Sequence, residues 1–500
     1  MQYILAHDIG TSGNKAVLYD ENGALVSFRV ESYASRYPGP NCVEQDARDW
    51  YGAVCSATKE LLARTGVSPK DVAGVSFSGQ MMGCLPVGAD DEPLMNSIIW
   101  ADTRASAEAD KMTAALGADG GAAGYRLAGH RLSASYSAAK LMWVRDHAPQ
   151  VYKKTRKTLN AKDFIILKLT GRAVTDYSDA GGTNLFDISK KAWSPELIAA
   201  AGVDADMLPE LLRSTDIAGR VTARAAAECG LLEGTPVVTG GGDGSCATLG
   251  AGVWQKGGMY NVLGSSSWVS YADDKPYFDE KMRTFNWVTL DENLIAPCGT
   301  MQTAAYAFDW VTDLLAAGFG DKASDKDAFY SRLERAINAV PAGANGAVFL
   351  PYLLGERSPR WDVNAKAAFL GLSMTNTRED MLRAAIEGVA LNLKIILDCF
   401  SNPADVILIG GGARSSAWRQ ILADVWQRRL LIPRYVEEAS SIGAAVCCGV
   451  GLGIFEGFSA AARINPIEEA VEPNAGNKAV YDRAFRVFDS AYYALKDVII

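Results

Sequence analysis

Residues 8–17, DIGTSGNKAV, and residues 262–271, VLGSSSWVSY, follow one pattern far apart in the chain. Each carries a short apolar run into a glycine, turns through small residues, and leaves as a second apolar or alternating run. Superimposed, Gly10 falls on Gly264, Thr11 on Ser265 and Ser12 on Ser266. Run, turn and run read as a β-hairpin, so one strand–turn–strand unit serves once in each half. A chain of 500 residues is too long for one ordinary core. The repeat therefore points to two large α/β domains facing a cleft. The segment GAGVWQKGG gathers glycines near Gly252 and divides the chain into residues 1–252 and 253–500.

The intervening sequence alternates strand and helix signals. EQDARDWYGAVCSATKELLARTG predicts a helix capped by Asp46 and ended by Gly66, with Trp50, Val54, Leu61 and Leu62 on one face. VAGVSFSGQMMG and SIIWADTR each read as strand into loop. A helix is expected from about Ser137 to Asp146, and a short one in SPELIAAAG with Ser194 as its cap. NTREDMLRAAIEGVALNLKIILDCF is the clearest long helix, with Thr377 and Asp380 as a capping pair. ADVILIGGGARSSAWRQILADVW reads as strand, glycine loop, helix.

Charge and composition remove several function classes. Acidic residues outnumber basic ones, 58 to 49, for a formal charge of −9, whereas a nucleic-acid partner needs a basic face. The opening MQYILAHDIG has neither the basic start nor the cleavage site of a signal peptide. The longest weakly polar run, SIGAAVCCGVGLGIF, is glycine-rich, falls short of the roughly 18 residues that span a bilayer, and reads as a buried helix. Nine cysteines show no CxxC pair, which fits reduced thiols in a cytoplasm. Three histidines, His7, His130 and His147, argue against a zinc site or a Ser-His-Asp triad.

Three turns follow apolar strands: Gly10–Gly13, Gly264–Ser267 and Gly410–Ala413. Glycine lets backbone amides approach a ligand and small hydroxyls add donors, a combination suited to phosphate oxygens. The third is expected to open a helix, whose first N–H groups attract anions. The chain contains no GK dipeptide, which excludes a Walker A loop. No glycine cluster matches GxGxxG between strand and helix, which argues against a Rossmann dehydrogenase.

These stretches, with EQDARDWY, SGQMMG, WADTR, GGGDG, FLPYLLGERSPRWD and GLSMTNTREDMLRAAIEGVALNL, resemble the FGGY family of carbohydrate kinases almost end to end. The xylulokinase branch is the most similar. The resemblance implies two actin-like, ribonuclease-H-like ATPase domains with ATP in the cleft, and the sugar deeper against the N-terminal domain. It implies a cytoplasmic kinase of a small sugar, with no nucleic-acid or membrane partner and often paired as a homodimer. The last helix is expected to pack back on the first domain.

In that family the Asp of GGGDG, here Asp243, is the general base. The chemistry agrees, since the attacking sugar hydroxyl must lose a proton. Asp8 is implied to hold Mg2+, largely through water, with Asp243 beside it. Thr11, Ser12 and Lys15 on one side, and Gly264, Ser265 and Ser266 on the other, are implied ATP-phosphate contacts, with Gly411, Gly412 and Ala413 along the adenosine. Gln80, Met81, Met82, Trp100, Asp102, Arg104 and Gly244 are implied to line the sugar pocket with Asp243. Two positions depart from the xylulokinase pattern: Met82 stands where histidine is usual, and Gly244 where asparagine is usual. Both lost groups would hydrogen-bond a sugar, and such contacts discriminate strongly. A pocket more apolar or wider than usual follows. WAD followed by Arg, and DG after the glycines, also resemble the gluconate-kinase branch. The expected reaction is phosphoryl transfer from MgATP to a terminal hydroxyl of a ketopentose, D-xylulose first. Gluconate, ribulose, fuculose, rhamnulose and erythritol are alternatives. An actin-like or chaperone-like ATPase with a protein partner is the alternative of another class, and it has no need of WADTR or SGQMMG.

Overall fold

The computed structural model describes residues 2–315, 319, 325–402 and 404–498. The first hairpin forms as its sequence requires: β1 (Tyr3–Ile9) and β2 (Gly13–Asp20) pair antiparallel with Asp8 opposite Lys15, and β3 (Leu25–Ser32) extends the meander. The chain then enters α1 (Ala47–Thr65), where the Asp46 carboxylate accepts from the Arg48 N–H at 3.0 Å and Gly66 closes the end with φ 69°. It returns as β4 (Val72–Gly79), parallel to β1 with Ser78 beside Asp8. Strands β5 (Ile217–Arg220), β6 (Pro236–Val238) and the short β7 (Gly241–Gly242) complete a seven-stranded sheet.

A second seven-stranded sheet contains β8 (Met259–Leu263), β9 (Ser267–Tyr271), β10 (Phe285–Val288), β11 (Ile295–Met301), β12 (Val406–Ile409), β13 (Leu430–Pro433) and β14 (Ile467–Val471). Its order repeats the first: β3-β2-β1-β4-β6-β5 there, β11-β9-β8-β12-β13-β14 here. Parallel and antiparallel pairings agree at each step. The hairpin repeat is thus the visible part of a duplicated sheet.

Four helices pack on these two sheets. α2 (Ala161–Thr170) packs beneath the first sheet, and α3 (Asp243–Gly250) follows β7 directly. α4 (Arg378–Leu397) forms behind the expected capping box, with the Thr377 N–H donating to Asp380 Oδ2 at 2.8 Å and the Asp380 N–H to Thr377 Oγ1 at 3.3 Å. α5 (Ser416–Trp426) starts only after Ser415, whose hydroxyl caps it. The glycine turn before it closes as a separate 3-10 turn, Gly411–Arg414. The third turn therefore does not itself open the α-helix.

The expectation for the last helix is corrected. α6 (Ala439–Gly451), not the C-terminal α7 (Lys478–Leu495), lies against β1, β4 and α3 of the first half. Side-chain size decides this. α6 is built of Ala, Ser, Gly, Cys, Ile and Val and can be buried on every face, so backbones approach closely. A Cβ on Gly443 would lie 2.1 Å from the Cys246 carbonyl oxygen, and one on Gly250 1.8 Å from that of Ala439. α7 instead inserts Tyr481, Phe488 and Tyr492 into the core of the second half.

Candidate active site

The run Gly240-Gly241-Gly242 explains its own composition. Gly240 has φ 68°, and a Cβ there would sit 2.0 Å from the Phe77 carbonyl oxygen. A Cβ on Gly242 would meet Met81 Sδ at 2.5 Å. Only glycine lets the chain pass between β4 and Met81. Gly241 pairs with Ser78, which pairs with Asp8, so three neighbouring strands end together. α3 then opens on Asp243.

Asp243 is half-buried, and its Oδ1 accepts the Gly244 N–H at 2.7 Å. Burial first, and the negative charge of Asp8 second, push its carboxyl up to about 7. Asp8 is also raised by burial, against the opposing effects of the Ser78 hydroxyl, which donates to Oδ1 at 2.7 Å, and of Lys15. The chain thus places a carboxyl that titrates near neutrality beside a second acid.

The hydroxyl turns carry exposed or half-exposed groups. Ser12 and Ser265 are exposed, and Thr11 and Ser266 half-buried. The Tyr33 hydroxyl holds the first turn by donating to the Gly10 carbonyl at 2.6 Å, and the Ala304 N–H holds the second at Ser265 O (2.8 Å). Trp100 Nε1 donates to Thr11 Oγ1 at 2.8 Å, joining the WADTR segment to the first turn.

Several residues named from sequence do other work. Lys15 Nζ is bound to Glu438 Oε1 at 2.9 Å, a tie between the two halves. Ala413 is fully buried in the second core, so its side chain does not border the cleft, while Gly411 is exposed. Asp102 is wholly buried and its oxygens are occupied. Oδ2 accepts the Val43 N–H (2.6 Å), Oδ1 the Arg104 N–H (3.0 Å), and both oxygens the Arg104 Nε. Arg104 also pairs with Glu44 at 2.9 Å and stacks on Trp143. The Asp102–Arg104 pair therefore braces the loop that presents Trp100. Gln80 is buried, its amide donating to Gln45 Oε1 at 2.8 Å. Met81 is buried against Gly242, and Met82 is half-buried with φ 63°, its carbonyl held by Lys140 Nζ at 2.7 Å. Gly244 faces open space, with nothing within 4 Å of a Cβ built there.

One supporting group escaped the sequence reading. Lys162, at the start of α2, lies fully buried with Nζ 2.7 Å from Asp163, 3.0 Å from Asp176 and 3.3 Å from Asp179. Asp176 Oδ2 accepts from the Ser178 hydroxyl at 2.5 Å, and Ser178 Oγ accepts the Gly242 N–H at 2.9 Å. The ion cluster thus anchors the peptide preceding Asp243. Its signal in the sequence is a Lys-Asp pair opening an otherwise apolar helix, AKDFIILKL. A second missed feature is an aromatic wall of Tyr136, Phe285 and Trp287 with Met81, flanked by the part-open Met82, Trp268 and Trp361.

The model of the FGGY family of carbohydrate kinases, N-terminal domain, matches residues 3–250, and that of its C-terminal domain matches residues 259–452. The xylulose kinase of Bacillus subtilis (strain 168) is 32% identical over 506 residues, covering 100% of this chain and 98% of the relative. The gluconokinase of the same strain is 28% identical over 508 residues, covering 99% and 98%. The ligand-bound crystal structure of xylulose kinase from Lactobacillus acidophilus superposes with a TM-score of 0.91 at 25% identity, over 100% of this chain and 99% of that one.

Proposed function

The chain belongs to the FGGY family of carbohydrate kinases, and from that premise we propose that it transfers the γ-phosphoryl group of ATP to a terminal hydroxyl of D-xylulose, with Asp243 as general base. One observation carries the assignment of the base: a half-buried carboxyl at the start of α3, raised to about 7 beside Asp8. Such a group can accept a proton from an attacking alcohol at neutral pH. The exposed hydroxyl turns supply donors for phosphate oxygens, and the aromatic wall supplies apolar faces for the C–H side of a sugar. Family membership in a carbohydrate kinase sets aside the protein-partnered ATPase. A cytoplasmic setting suits the ATP requirement and nine free cysteines. Among the described residues no helix is long and apolar enough to cross a membrane.

Magnesium fits the acids present. Asp8 and Asp243 crowd each other, and neither is neutralised by an ion pair among the described residues. A hard cation that keeps part of its water shell needs only one or two carboxylates besides the substrate phosphates. Bound there, Mg2+ would neutralise charge on the phosphate oxygens. Asp8→Asn is expected to raise the Mg2+ concentration for half-maximal rate about 10-fold or more; an unchanged metal titration removes Asp8 from this role.

Gluconate is the second reading, favoured by the open space at Gly244 and by Met82 where a polar side chain would otherwise discriminate. ADP release measured against xylulose, ribulose, gluconate, fuculose, rhamnulose, erythritol and glycerol decides between acceptors. No sugar-dependent release with any of them overturns the proposed activity.

The acid limb of the pH profile follows from the base. Asp243 works deprotonated, so kcat/KM is expected to fall as pH drops through about 7. Added Mg2+ moves that limb to lower pH by favouring the charged form. A rate that stays flat from about pH 8 to pH 5 assigns the proton elsewhere.

A further inference from the structure

Arg357 enters the crevice region from the second half of the chain, in the segment GERSPRW. Its Nε is buried and has no hydrogen-bond partner among the described residues. Two other arginines meet Trp361 of this wall, and both have partners: Arg283 pairs with Asp279, and Arg131, stacked on the ring, donates to the Met282 and Lys281 carbonyls. No such ion pair forms at Arg357 among the described residues. The adjacent acid is committed elsewhere, since Glu356 accepts from the Gln302 N–H at 2.6 Å, the Arg357 backbone N–H at 2.8 Å and Asn392 Nδ2 at 2.6 Å. The Arg357 guanidinium lies 6.0 Å from the ring centre of Trp100, across from the first half. Its charge is felt by Tyr136 of the aromatic wall and by Cys298, which packs in the same cluster. Trp361, four residues on, joins the same wall.

A buried guanidinium without an ion pair costs stability unless something electron-rich meets it. The planar fork of arginine suits paired or sp2 oxygens better than a lone hydroxyl. Two of the relatives are named for xylulose and gluconate. A ketose and an aldonate share one chemical feature, an oxidised end bearing a carbonyl or carboxylate.

We propose that Arg357 is a specificity-determining residue that binds the oxidised end of the acceptor, a ketose carbonyl or an aldonate carboxylate, against Trp100. This rests on the sugar-kinase reading and extends it: the site prefers oxidised sugars to the corresponding fully reduced polyols. Asp243 acts on the hydroxyl that is phosphorylated, and Arg357 holds the other end.

The test uses matched pairs, D-xylulose against xylitol and D-gluconate against D-glucitol, titrated into the full-length protein by calorimetry and tryptophan fluorescence. In the wild type the oxidised member of at least one pair is expected to bind about 10-fold or more tightly than its polyol. Arg357→Met should weaken binding of that oxidised sugar by about 10–100-fold and leave the polyol within about threefold. Arg357→Lys, which keeps the charge without the fork, should recover gluconate binding more than xylulose binding. The proposal is overturned by a wild type that binds both members of each pair alike or binds none. It is equally overturned if the preference survives in Arg357→Met, or if that variant weakens all four compounds alike, as a packing or domain-closing role would. ADP release is measured separately. Release without the preference sinks only this inference; the preference without release sinks only the kinase reading.

Discussion

Asp243→Ala is expected to lower kcat by about 10²–10⁴, the range associated with a lost general base, with little change in sugar affinity. The structure says why the loss should be chemical and not structural. The Asp243 side chain forms no ion pair among the described residues, and its Oδ1 accepts the N–H of the next peptide, Gly244, at 2.7 Å. Its removal therefore leaves no buried partner exposed. It also removes a charge that burial and Asp8 both oppose. The folded carboxyl titrates at about 7 against an ordinary value of 3.8, so the folded state holds its proton more tightly. Stability relative to a neutral side chain is preserved below about pH 4 and falls as pH rises through about 7. Asp243→Ala and Asp243→Asn should consequently be as stable as the wild type at pH 4 and more stable at pH 8. Steady-state kinetics with the best acceptor, together with thermal unfolding at both pH values, checks the two halves of the expectation. Near-wild-type turnover, or a loss of activity that tracks a loss of fold, would remove Asp243 from its role.

Local features were legible in the sequence because local chemistry decides them. Asp46, Thr377 with Asp380, Ser194 and the hairpin glycines cap or turn the chain through atoms only a few residues away. The repeat of Gly10 and Gly264 went further, because a repeated hairpin implied a repeated sheet, and the strand orders agree. What stayed hidden depends on partners distant in sequence. Asp102 looks like an open acceptor in WADTR until Val43 donates to it from a separate segment. Lys15 looks solvated until Glu438 arrives from the other half. The last helix was placed wrongly because amphipathicity says that a face is buried, not which core receives it. α6 gives no periodic signal, being small and apolar all round, yet it is the helix that seats against the first sheet.

Lys162→Met is expected to destabilise the protein by about 3–5 kcal/mol at neutral pH, the cost of breaking a buried ion cluster by removing one partner. One ammonium serves three carboxylates here, and all four groups are sealed from solvent. Burial raises the carboxyls of Asp163 and Asp179, and the Lys162 charge opposes that rise. The three acids in turn hold Lys162 well above its ordinary value, although burial alone would lower it. Titration of Lys162 itself therefore removes its contribution only above about pH 10.5. Without the ammonium, the carboxyls must either protonate or remain as unpaired charges. Acid makes protonation easier, so the deficit of Lys162→Met should shrink as pH falls from 8 toward about 4, where unfolded aspartates also protonate. Adding Asp179→Asn to Lys162→Met should recover part of the loss at pH 8 by removing one of the stranded charges. The effect reaches the reaction through Asp176 and Ser178, because Ser178 Oγ accepts the Gly242 N–H at the peptide leading into Asp243. A folded remainder of the single variant should thus show reduced kcat with a smaller change in sugar KM. Denaturant unfolding at pH 5 and pH 8 provides the check. A loss below about 1 kcal/mol at pH 8, or one equal at both pH values, would mean that Lys162 does not hold this cluster together.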